Sequence, residues 1–385
     1  MKVLHVITGL DQGGAEAVLY RLVTASAGEA EHIVVSMKDE GVYGPRLRQL
    51  GVTVHALGFP QGGITLKGLH RLWRLIATYK PDAVQTWMYH ADLVGGVMAR
   101  LGGTRAICWG IRNSNLSPET SSRSARWAAR LCAGLSGFVP SAIVSCSEEA
   151  ARVHQRLGYR ASKFIVIPNG YDVSRFCPQP SAAAALRNEW GIAPEVPVLG
   201  TVARWDPQKD HRTLLDALVL LIRNDRDFYC VLAGPGMERS NADLARLISE
   251  RSLDDKILLI GPRDDVPDIM NAIDVHVLSS AYGEAFPNAV CEAMACGTPC
   301  VVTDVGDAAA ITGETGWVVP LRDPQALSQR IEEAITAIQS GRREEVSQAC
   351  RQRIVEFFGI ERMVAAYEDI WSQCRKPRVN APSRP

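Results

Sequence analysis

The sequence lacks a long apolar run, a Cys-x-x-Cys pair and any low-complexity tract. A helix that spans a membrane needs roughly 18 consecutive apolar residues, and no run in the chain approaches that length. The first ten residues, MKVLHVITGL, hold an apolar stretch that is too short for a signal peptide and is typical of a first β-strand. We therefore expect a soluble, cytoplasmic protein.

The ten cysteines stand at irregular spacings, and no histidine lies at ligand spacing among Cys291, Cys296 and Cys300. This pattern is more typical of small buried side chains than of a zinc site, so we expect no bound metal. Disulfides are not expected in a reducing compartment.

The dinucleotide fingerprint G-x-G-x-x-G is also missing. Gly9, Gly13 and Gly14 have a different spacing, which disfavours a dehydrogenase. Gly13 and Gly14 lie between a predicted strand and a predicted helix, where a bare backbone and a helix N-terminus favour phosphate. A tight turn without a ligand is the alternative.

The net charge is zero, but its distribution is uneven. Residues 1–180 hold 20 Lys and Arg against 12 Asp and Glu, and residues 181–385 hold 22 against 30, so the halves carry +8 and −8. The basic half suits an anionic partner. Nucleic acid is not expected, because no recognition motif accompanies the charge.

A length of 385 residues favours two domains. Strand and helix patterns alternate, with seven strands predicted before Pro168 and six between Val196 and Val319, so we predict two doubly wound α/β units. The proline-punctuated stretch Pro168–Pro197 is the predicted linker. The predicted parts are an N-terminal domain (1–180), a second domain (181–358), a final helix (359–373) and a disordered tail (374–385).

Ligands bind at the carboxyl ends of the strands in open α/β sheets. One loop there carries Glu284, and the helix that starts near Pro287 and Asn288 carries Glu292 one turn later. Such carboxylates can accept hydrogen bonds from sugar and ribose hydroxyls. Paired carboxylates also occur in glycosidases, but a neighbouring basic loop fits a nucleotide ligand better.

That basic loop carries Arg204 and Lys209, whose cations can hold a diphosphate, although exposed charge alone is the alternative. Arg263, after a later strand, is a candidate for a nucleobase pocket, with a simple turn as the alternative. In the first half, His90 is a candidate acid, base or neutral donor to a sugar hydroxyl. Arg112 and Asn113 are candidates for acceptor binding.

Arg123, Arg126 and Arg130 lie at helical spacing with Trp127 among them. This face is a candidate for contact with a membrane surface or a lipid diphosphate. A solvated basic face is the alternative.

Together these residues resemble the retaining, nucleotide-sugar-dependent glycosyltransferases of family 4, which have the GT-B fold. The resemblance covers about residues 2–372 and rests on motifs in a fixed order, which are Gly13-Gly14, His90, Pro168–Asp172, Arg204, Lys209, Gly261-x-Arg263 and Glu284 through Glu292. It implies two Rossmann-like domains that face each other across a cleft, and a last helix that crosses back to the first domain.

The resemblance also implies roles. Arg204 and Lys209 would stabilise the diphosphate leaving group, Glu284 would contact the donor sugar, and Glu292 would bind the ribose. The remaining implied roles are contact of Gly14 with phosphate, of His90 with the transferred sugar or the acceptor, and of the Phe286, Pro287, Asn288 and Ala289 backbone with the donor. Such enzymes need no bound metal or other cofactor, since cations and a helix dipole replace it.

We therefore expect a glycosyltransferase that moves a sugar from a UDP- or GDP-type donor to a glycan or lipid-linked acceptor in cell-surface polysaccharide synthesis. It would be cytoplasmic, with possible peripheral contact at the inner face of the membrane. A GT-B-fold epimerase and a non-catalytic sugar-nucleotide-binding protein are the alternatives. The chain departs from the family pattern at Asp210, where glycine is common, and at Asp307–Ala310.

Overall fold

The computed structural model describes residues 1–11, 13–60, 63–116 and 121–375. The chain divides into two compact units. The first unit combines Met1–Gly170 with the residues from Ile360 onward, and the second is Tyr171–Gly359. The division after Gly170 lies earlier in the chain than the boundary at 180 that the sequence predicts.

The first unit is built on a seven-stranded parallel sheet with the order β3-β2-β1-β4-β5-β6-β7. Its strands are β1 (Lys2–Ile7), β2 (Glu31–Ser36), β3 (Thr53–Ala56), β4 (Ala83–Trp87), β5 (Ile107–Ile111), β6 (Ala142–Ser145) and β7 (Phe164–Val166). The helices between them are α1 (Gly14–Ala25), α2 (Tyr43–Gln49), α3 (Leu66–Tyr79), α4 (Tyr89–Leu101), α5 (Arg123–Leu135) and α6 (Glu148–Arg156).

The second unit is built on a six-stranded parallel sheet with the order β10-β9-β8-β11-β12-β13. Its strands are β8 (Val198–Val202), β9 (Tyr229–Ala233), β10 (Ile257–Gly261), β11 (Val275–Leu278), β12 (Cys300–Thr303) and β13 (Trp317–Val319). Its helices are α7 (Pro180–Glu189), α8 (His211–Arg223), α9 (Ala242–Ser249), α10 (Val266–Ala272), α11 (Asn288–Ala295), α12 (Ala308–Thr312), α13 (Pro324–Ala337) and α14 (Arg343–Phe358).

The strands form because short apolar runs become buried on both faces of each sheet. All residues of β4, β5, β6, β11 and β12 are buried, which is the pattern of parallel strands covered by helices on both sides. The predicted two doubly wound α/β units, with seven and six strands, are confirmed. The largest shifts are at β5 and β8, for which the sequence pattern predicts starts at Arg105 and Val196 but which begin at Ile107 and Val198.

The last helix, α15 (Ile360–Arg375), belongs to the first unit. It buries Tyr367 and Trp371 in the core cluster that also holds Val3, Leu19 and Trp87. The predicted tail begins at 374, but Cys374 and Arg375 are part of this helix, and the rest of the tail lies outside the described residues. Among the described residues, no helix is long and apolar enough to cross a membrane.

Trp371 attaches α15 to the first sheet. Its side chain is fully buried, its indole Nε1 donates to Gln85 Oε1 at 3.1 Å, and its ring packs edge-on against His5. The substitution Trp371→Ala removes this packing and the hydrogen bond from the indole to Gln85 Oε1. We expect it to lower the free energy of unfolding by about 3–5 kcal/mol, measured by urea denaturation.

The matched control is Trp73→Ala on α3, where the indole is 43% exposed. We expect this change to cost about 1 kcal/mol or less. Equal losses in the two variants would contradict the assigned role of Trp371.

Candidate active site

An ion pair joins two loops at the carboxyl edge of the second sheet. Lys209 Nζ lies 2.5 Å from Glu284 Oε1, and the two side chains are only 16% and 10% exposed. Lys209 follows β8 and Glu284 follows β11, and these strands are neighbours in the sheet. The order of the strands reverses between them, and doubly wound sheets bind ligands at this switch point.

Hydrogen bonds hold the two loops in register. Ser280 Oγ donates to Glu284 Oε1 at 2.8 Å, so the carboxylate that pairs with Lys209 has a second partner. Ser279 Oγ donates to the Lys209 carbonyl at 2.8 Å, and Ala281 N donates to the Gln208 carbonyl at 2.9 Å. The position of the ion pair therefore depends on backbone contacts as well as on charge.

Arg204 is more exposed than Lys209. Its Nε donates to Asp206 Oδ2 at 3.0 Å, and its side chain is 57% exposed. Burial favours the neutral form of Asp206, but hydrogen bonds from Gln208 N–H and Arg204 outweigh it and lower the pKa of this carboxyl. Arg204 thus lies beside an ionised carboxylate on the same loop, with most of its guanidinium accessible.

Asp210 explains one departure from the family pattern. Its φ of +46° is left-handed, a conformation that favours glycine but that aspartate also tolerates. The Asp210 carboxylate caps α8, because it accepts from Thr213 N at 3.3 Å and from Thr213 Oγ1 at 2.7 Å. Aspartate therefore fulfils both the backbone requirement and the capping role at this position.

Two buried histidines lie close to Lys209. Burial, together with the Lys209 cation, lowers the pKa of His211 and of His276 to about 4. His211 packs against Trp205, with the ring centroids 5.0 Å apart. Both imidazoles are therefore neutral near pH 7, and Lys209 carries the positive charge of this region.

The helix α11 begins beside this pair. Pro287 is its N-cap residue, and no side chain among the described residues caps it. The Tyr171 hydroxyl donates to Asn288 Oδ1 and fixes the first residue of the helix. Glu292 lies one turn further along and is partly buried. The amide groups of this first turn are suited to phosphate or to a hydroxyl group.

The side chain of Phe286 does not serve as a contact surface here. It is 7% exposed and packs edge-on against Phe358, with the ring centroids 5.6 Å apart. Contact of the Phe286, Pro287, Asn288 and Ala289 backbone with a donor stays a prediction.

Arg263 already has carboxylate partners in this unit. Its guanidinium makes two hydrogen bonds to Asp265, at 2.8 and 2.5 Å, and lies 3.6 Å from Glu189. The bonds to Asp265 raise the pKa of Arg263. A role in a nucleobase pocket would use its stem or the adjacent backbone, and that role stays a prediction.

Three glycines support the site, and the sequence interpretation assigned no role to them. Gly306 has φ +57°, and a Cβ there would lie 2.1 Å from the carbonyl oxygen of Glu284. A Cβ on Gly234 would lie 2.2 Å from the Ala203 carbonyl, and one on Gly236 would lie 2.5 Å from Trp205 Cβ. The available signal is the position of these glycines within three residues of the ends of the strands β9 and β12.

In the first unit, Gly13 and Gly14 lie at the start of α1, after β1. A Cβ on Gly13 would lie 2.3 Å from Glu16 Oε2, so the Glu16 carboxylate covers the backbone where the sequence predicts phosphate. Burial raises the pKa of Glu16. Contact of Gly14 with a phosphate stays a prediction, and it requires this carboxylate to move or to be protonated.

His90 lies in the first turn of α4, after β4. Since β1 and β4 are neighbours and the order reverses between them, His90 and Gly13 both lie at the switch point of the first sheet. Burial, with a smaller contribution from the Lys38 cation, lowers the pKa of His90. The imidazole is therefore neutral near pH 7 and suited to hydrogen bonding with a hydroxyl group.

A buried carboxyl lies two residues further along α4. Asp92 Oδ1 accepts from Thr86 Oγ1 at 2.5 Å and from Gly110 N at 3.2 Å. Burial raises the pKa of Asp92 to about 8, so this group is largely protonated near pH 7. Asp92 joins α4 to the ends of β4 and β5 and helps to position the turn that carries His90.

Arg112 lies after β5 and has several partners inside the first unit. Its guanidinium donates to Asn169 Oδ1 and to the Tyr367 hydroxyl, and it lies 4.9 Å from the centroid of the Trp87 ring. Arg112 therefore connects α15 to the sheet. Asn113 closes a turn with Asn115, through bonds of 2.8 and 2.9 Å. Acceptor binding by either residue stays a prediction.

The three clustered cysteines lie in the core of the second unit. Cys291, Cys296 and Cys300 are at most 4% exposed. In the described part of the chain, no three or more His, Cys, Asp or Glu side chains are grouped to hold a metal ion.

Comparison with known proteins places both halves of the chain in described families. Residues 12–175 match the model "Glycosyltransferase Family 4", and residues 196–337 match the model "Glycosyl transferases group 1". The chain belongs to the GT-B glycosyltransferases. The family suggested by the sequence motifs is thus confirmed.

Individual relatives agree with this assignment. The chain is 26% identical to an Escherichia coli UDP-Gal:alpha-D-GlcNAc-diphosphoundecaprenol alpha-1,3-galactosyltransferase, over 80% of this chain and 79% of that protein. It is 29% identical to the lipopolysaccharide core biosynthesis mannosyltransferase LpsB of Rhizobium meliloti, over 44% of this chain and 51% of that protein. The crystal structure of Anabaena HepE in complex with UDP superposes with a TM-score of 0.84 at 23% identity, over 97% of this chain and all of that chain.

Gly306 provides a test of the backbone support under Glu284. In Gly306→Ala, the new methyl group meets the Glu284 carbonyl, and a left-handed φ adds roughly 1 kcal/mol of backbone cost. We expect a total loss of about 3 kcal/mol in the free energy of unfolding, measured by urea denaturation.

The matched control is Gly191→Ala in the same unit. Gly191 has φ +69°, but nothing lies within 4 Å of the position of its Cβ, so only the backbone cost of about 1 kcal/mol applies. If Gly306→Ala were as stable as Gly191→Ala, the Glu284 loop would shift with no further loss in the free energy of unfolding. That result would contradict the role of Gly306 as support for this loop.

Proposed function

We propose that this glycosyltransferase moves a sugar from a UDP-sugar to a lipid-diphosphate-linked glycan or a related cell-surface glycan acceptor, with retention at the anomeric carbon. The observation that carries the proposal is the pair of Lys209 and Glu284 at the switch point of the second sheet. It supplies a cation for a diphosphate and a carboxylate for hydroxyl groups in one place.

The chemistry requires such a cation. When the bond between the sugar and the diphosphate breaks, negative charge develops on the leaving diphosphate. A fixed cation that contacts the diphosphate oxygen on which this charge develops stabilises the transition state more than the ground state. Lys209 is held by Glu284 at 2.5 Å. The side chain of Arg204 is 57% exposed and donates to Asp206 through Nε, so its remaining N–H groups would bind a second phosphate oxygen.

The carboxylates have a separate task in this proposal. Glu284 keeps one oxygen on Lys209 and Ser280, and its other oxygen would accept from hydroxyls of the donor sugar. Glu292 would accept from the ribose hydroxyls. The first-turn amides of α11 would bind the distal phosphate, which the helix dipole also favours.

The relatives support the choice of donor. The E. coli relative is named as a UDP-galactose-dependent enzyme that acts on a diphosphoundecaprenol-linked sugar. The Anabaena HepE structures contain UDP and UDP-glucose. We propose a UDP donor ahead of the GDP donor that the sequence equally allowed. We also propose that transfer needs no metal ion, because Lys209, Arg204 and the helix α11 neutralise the diphosphate.

A panel of UDP-, GDP-, ADP- and dTDP-sugars tests the proposal. We expect release of UDP in the presence of a lipid-linked glycan extract, unchanged by EDTA, and a product whose anomeric configuration, read by NMR, matches that of the donor. Release from no donor would contradict transferase activity. Inversion, or loss of activity in EDTA, would contradict the corresponding part of the proposal.

Lys209→Ala tests the role of the cation. Loss of one preorganised group that stabilises a developing charge costs roughly 100- to 1000-fold in kcat. We expect a decrease of this size in UDP release, because the diphosphate loses its fixed partner. The matched control, Lys256→Ala, removes a lysine that pairs with Asp227 on the surface of the same unit and should leave kcat unchanged.

Lys209→Ala also leaves Glu284 without its cation, so we must check that this variant is folded. Circular dichroism and thermal unfolding of Lys209→Ala and of the double variant Lys209→Ala/Glu284→Gln serve this purpose. The double variant removes the unpaired charge and should be folded but inactive. Recovery of activity in the double variant would show that Lys209 only neutralises Glu284.

We further propose that the first unit contacts an anionic membrane surface at the inner face of the membrane. The helix α5 exposes Trp127 (63%) and Leu131 (50%), and Phe138 just after it is 81% exposed. Arg123 and Arg130 on the same helix are exposed too. Apolar side chains flanked by arginines are typical of helices that lie in the interface of an anionic bilayer.

Vesicle sedimentation tests this contact with equimolar phosphatidylglycerol and phosphatidylcholine at low salt. We expect Trp127→Ser/Phe138→Ser to bind about tenfold more weakly than the unsubstituted chain, because two apolar side chains no longer enter the interface. Leu66→Ser, which replaces an 85% exposed apolar residue on α3, is the control. An equal effect of both changes, or no binding of the unsubstituted chain, would contradict the contact.

A further inference from the structure

A cavity of about 640 Å³ lies in the first unit, at the edge of the sheet opposite to His90 and Gly13. Its lining residues directly precede or begin β5, β6 and β7, or lie at the C-terminal ends of α4 and α15. Four of them are basic, namely Arg100, Arg105, Lys163 and Arg375, and none of the described lining residues is acidic. Its position separates it from the loops at the carboxyl edge of this sheet.

Two of the four cations are held by main-chain carbonyls. Lys163 Nζ donates to the carbonyls of Gly137 and Pro140, both at 2.7 Å, and Arg100 donates to the carbonyl of Val139. These bonds fix the side chains on the segment 137–140. A carbonyl oxygen carries no formal charge, so the bonds orient the two cations without neutralising them.

Carboxylates compensate only part of this charge. Among the described residues, neither Arg100 nor Arg105 forms an ion pair with a carboxylate. Arg375 lies 3.3 Å from Asp82, whose carboxylate also accepts from Lys2 N at 2.9 Å. Burial, together with the charge of Arg105, lowers the pKa of Arg100, as expected for cations that repel one another.

We propose that this cavity binds a phosphate or diphosphate group, at a site distinct from those for the donor and the acceptor. Arginine guanidinium groups and a lysine ammonium are the donors that phosphate oxygens prefer. An anion among these side chains would relieve their mutual repulsion and bind the N–H groups of Arg100 and Arg105, which form no ion pair with a described carboxylate. The volume is sufficient for a phosphate with an organic substituent.

The surroundings favour a phosphate that is attached to a lipid. Phe138 is 81% exposed and lies between Gly137 and Pro140, the residues whose carbonyls hold Lys163. An exposed aromatic ring thus lies next to the cation-lined wall of the cavity. This arrangement suits a headgroup phosphate whose apolar chain extends past Phe138. A phosphate ion in solution has the same oxygen atoms and is the alternative ligand for this cavity.

Cys374 provides a readout inside the cavity. It lines the cavity and is partly buried, as is Cys177 in the second unit. We expect inorganic phosphate or pyrophosphate to slow the alkylation of Cys374 by iodoacetamide, measured by peptide mass spectrometry, without slowing that of Cys177. Because the readout is local, binding of these anions at the donor site cannot produce the same result.

Arg105→Glu tests the assignment of the cavity, because the Arg105 side chain is exposed and the change reverses one charge. We expect the concentration of anion that protects Cys374 to rise about tenfold or more, as the loss of a charge-assisted hydrogen bond implies. Arg74→Glu, the same change at an exposed position on α3, should leave protection unchanged. Equal protection in Arg105→Glu and the unsubstituted chain would overturn the proposal.

Vesicles distinguish the two sources of phosphate. Protection of Cys374 by equimolar phosphatidylglycerol and phosphatidylcholine, but not by phosphatidylcholine alone, identifies a lipid headgroup, whether or not inorganic phosphate also protects. Protection by inorganic phosphate or pyrophosphate without protection by these vesicles identifies a soluble ligand. Protection by none of these overturns the site, even if the vesicles retain the protein through Trp127 and the proposed membrane contact holds.

Discussion

The candidate site of the second unit depends on one interaction, the ion pair between Lys209 and Glu284. Each of these charges would be costly to bury alone, and each makes the burial of the other possible. The pair can form only because β8 and β11 are neighbours, which brings the loops after two strands distant in sequence to one edge of the sheet. The serines at 279 and 280 then set the geometry. A parallel sheet with this strand order is therefore the physical condition for the site.

Close backbone approach is the second condition. Gly306 brings the chain after β12 against the Glu284 carbonyl, and Gly234 brings the chain after β9 against the Ala203 carbonyl. A side chain at either position would separate loops that must touch. Asp210 shows that the backbone requirement does not always demand glycine, because its carboxylate caps α8 while its φ is left-handed. Aspartate in place of the glycine that is common at this position in the family thus leaves the local structure intact.

Much of the fold could be predicted from the sequence, because buried parallel strands are short, apolar and separated by helices. The order of the motifs along the chain was sufficient to predict the family. Contacts between distant residues could not be predicted, since nothing near Arg112 indicates that its guanidinium binds Asn169 and Tyr367. Arg263 is similar, because the turn that the sequence predicts there does not reveal its bonds to Asp265. Charged residues on loops have several possible partners, and only the three-dimensional structure selects among them.

The structure also shows where the uneven charge of the sequence lies. The excess of positive charge in the first half does not collect at the switch point of the first sheet, where His90 is held neutral and Asp92 is largely protonated. It lies instead on the helix α5 and at the opposite edge of the sheet, around Arg100 and Arg105. In the second unit the cations at the switch point are paired with carboxylates, Arg204 with Asp206 on the same loop and Lys209 with Glu284 on the neighbouring loop. The two units therefore use positive charge differently. The second pairs single cations with carboxylates at its switch point, whereas the first collects several cations away from its switch point, on α5 and around the cavity.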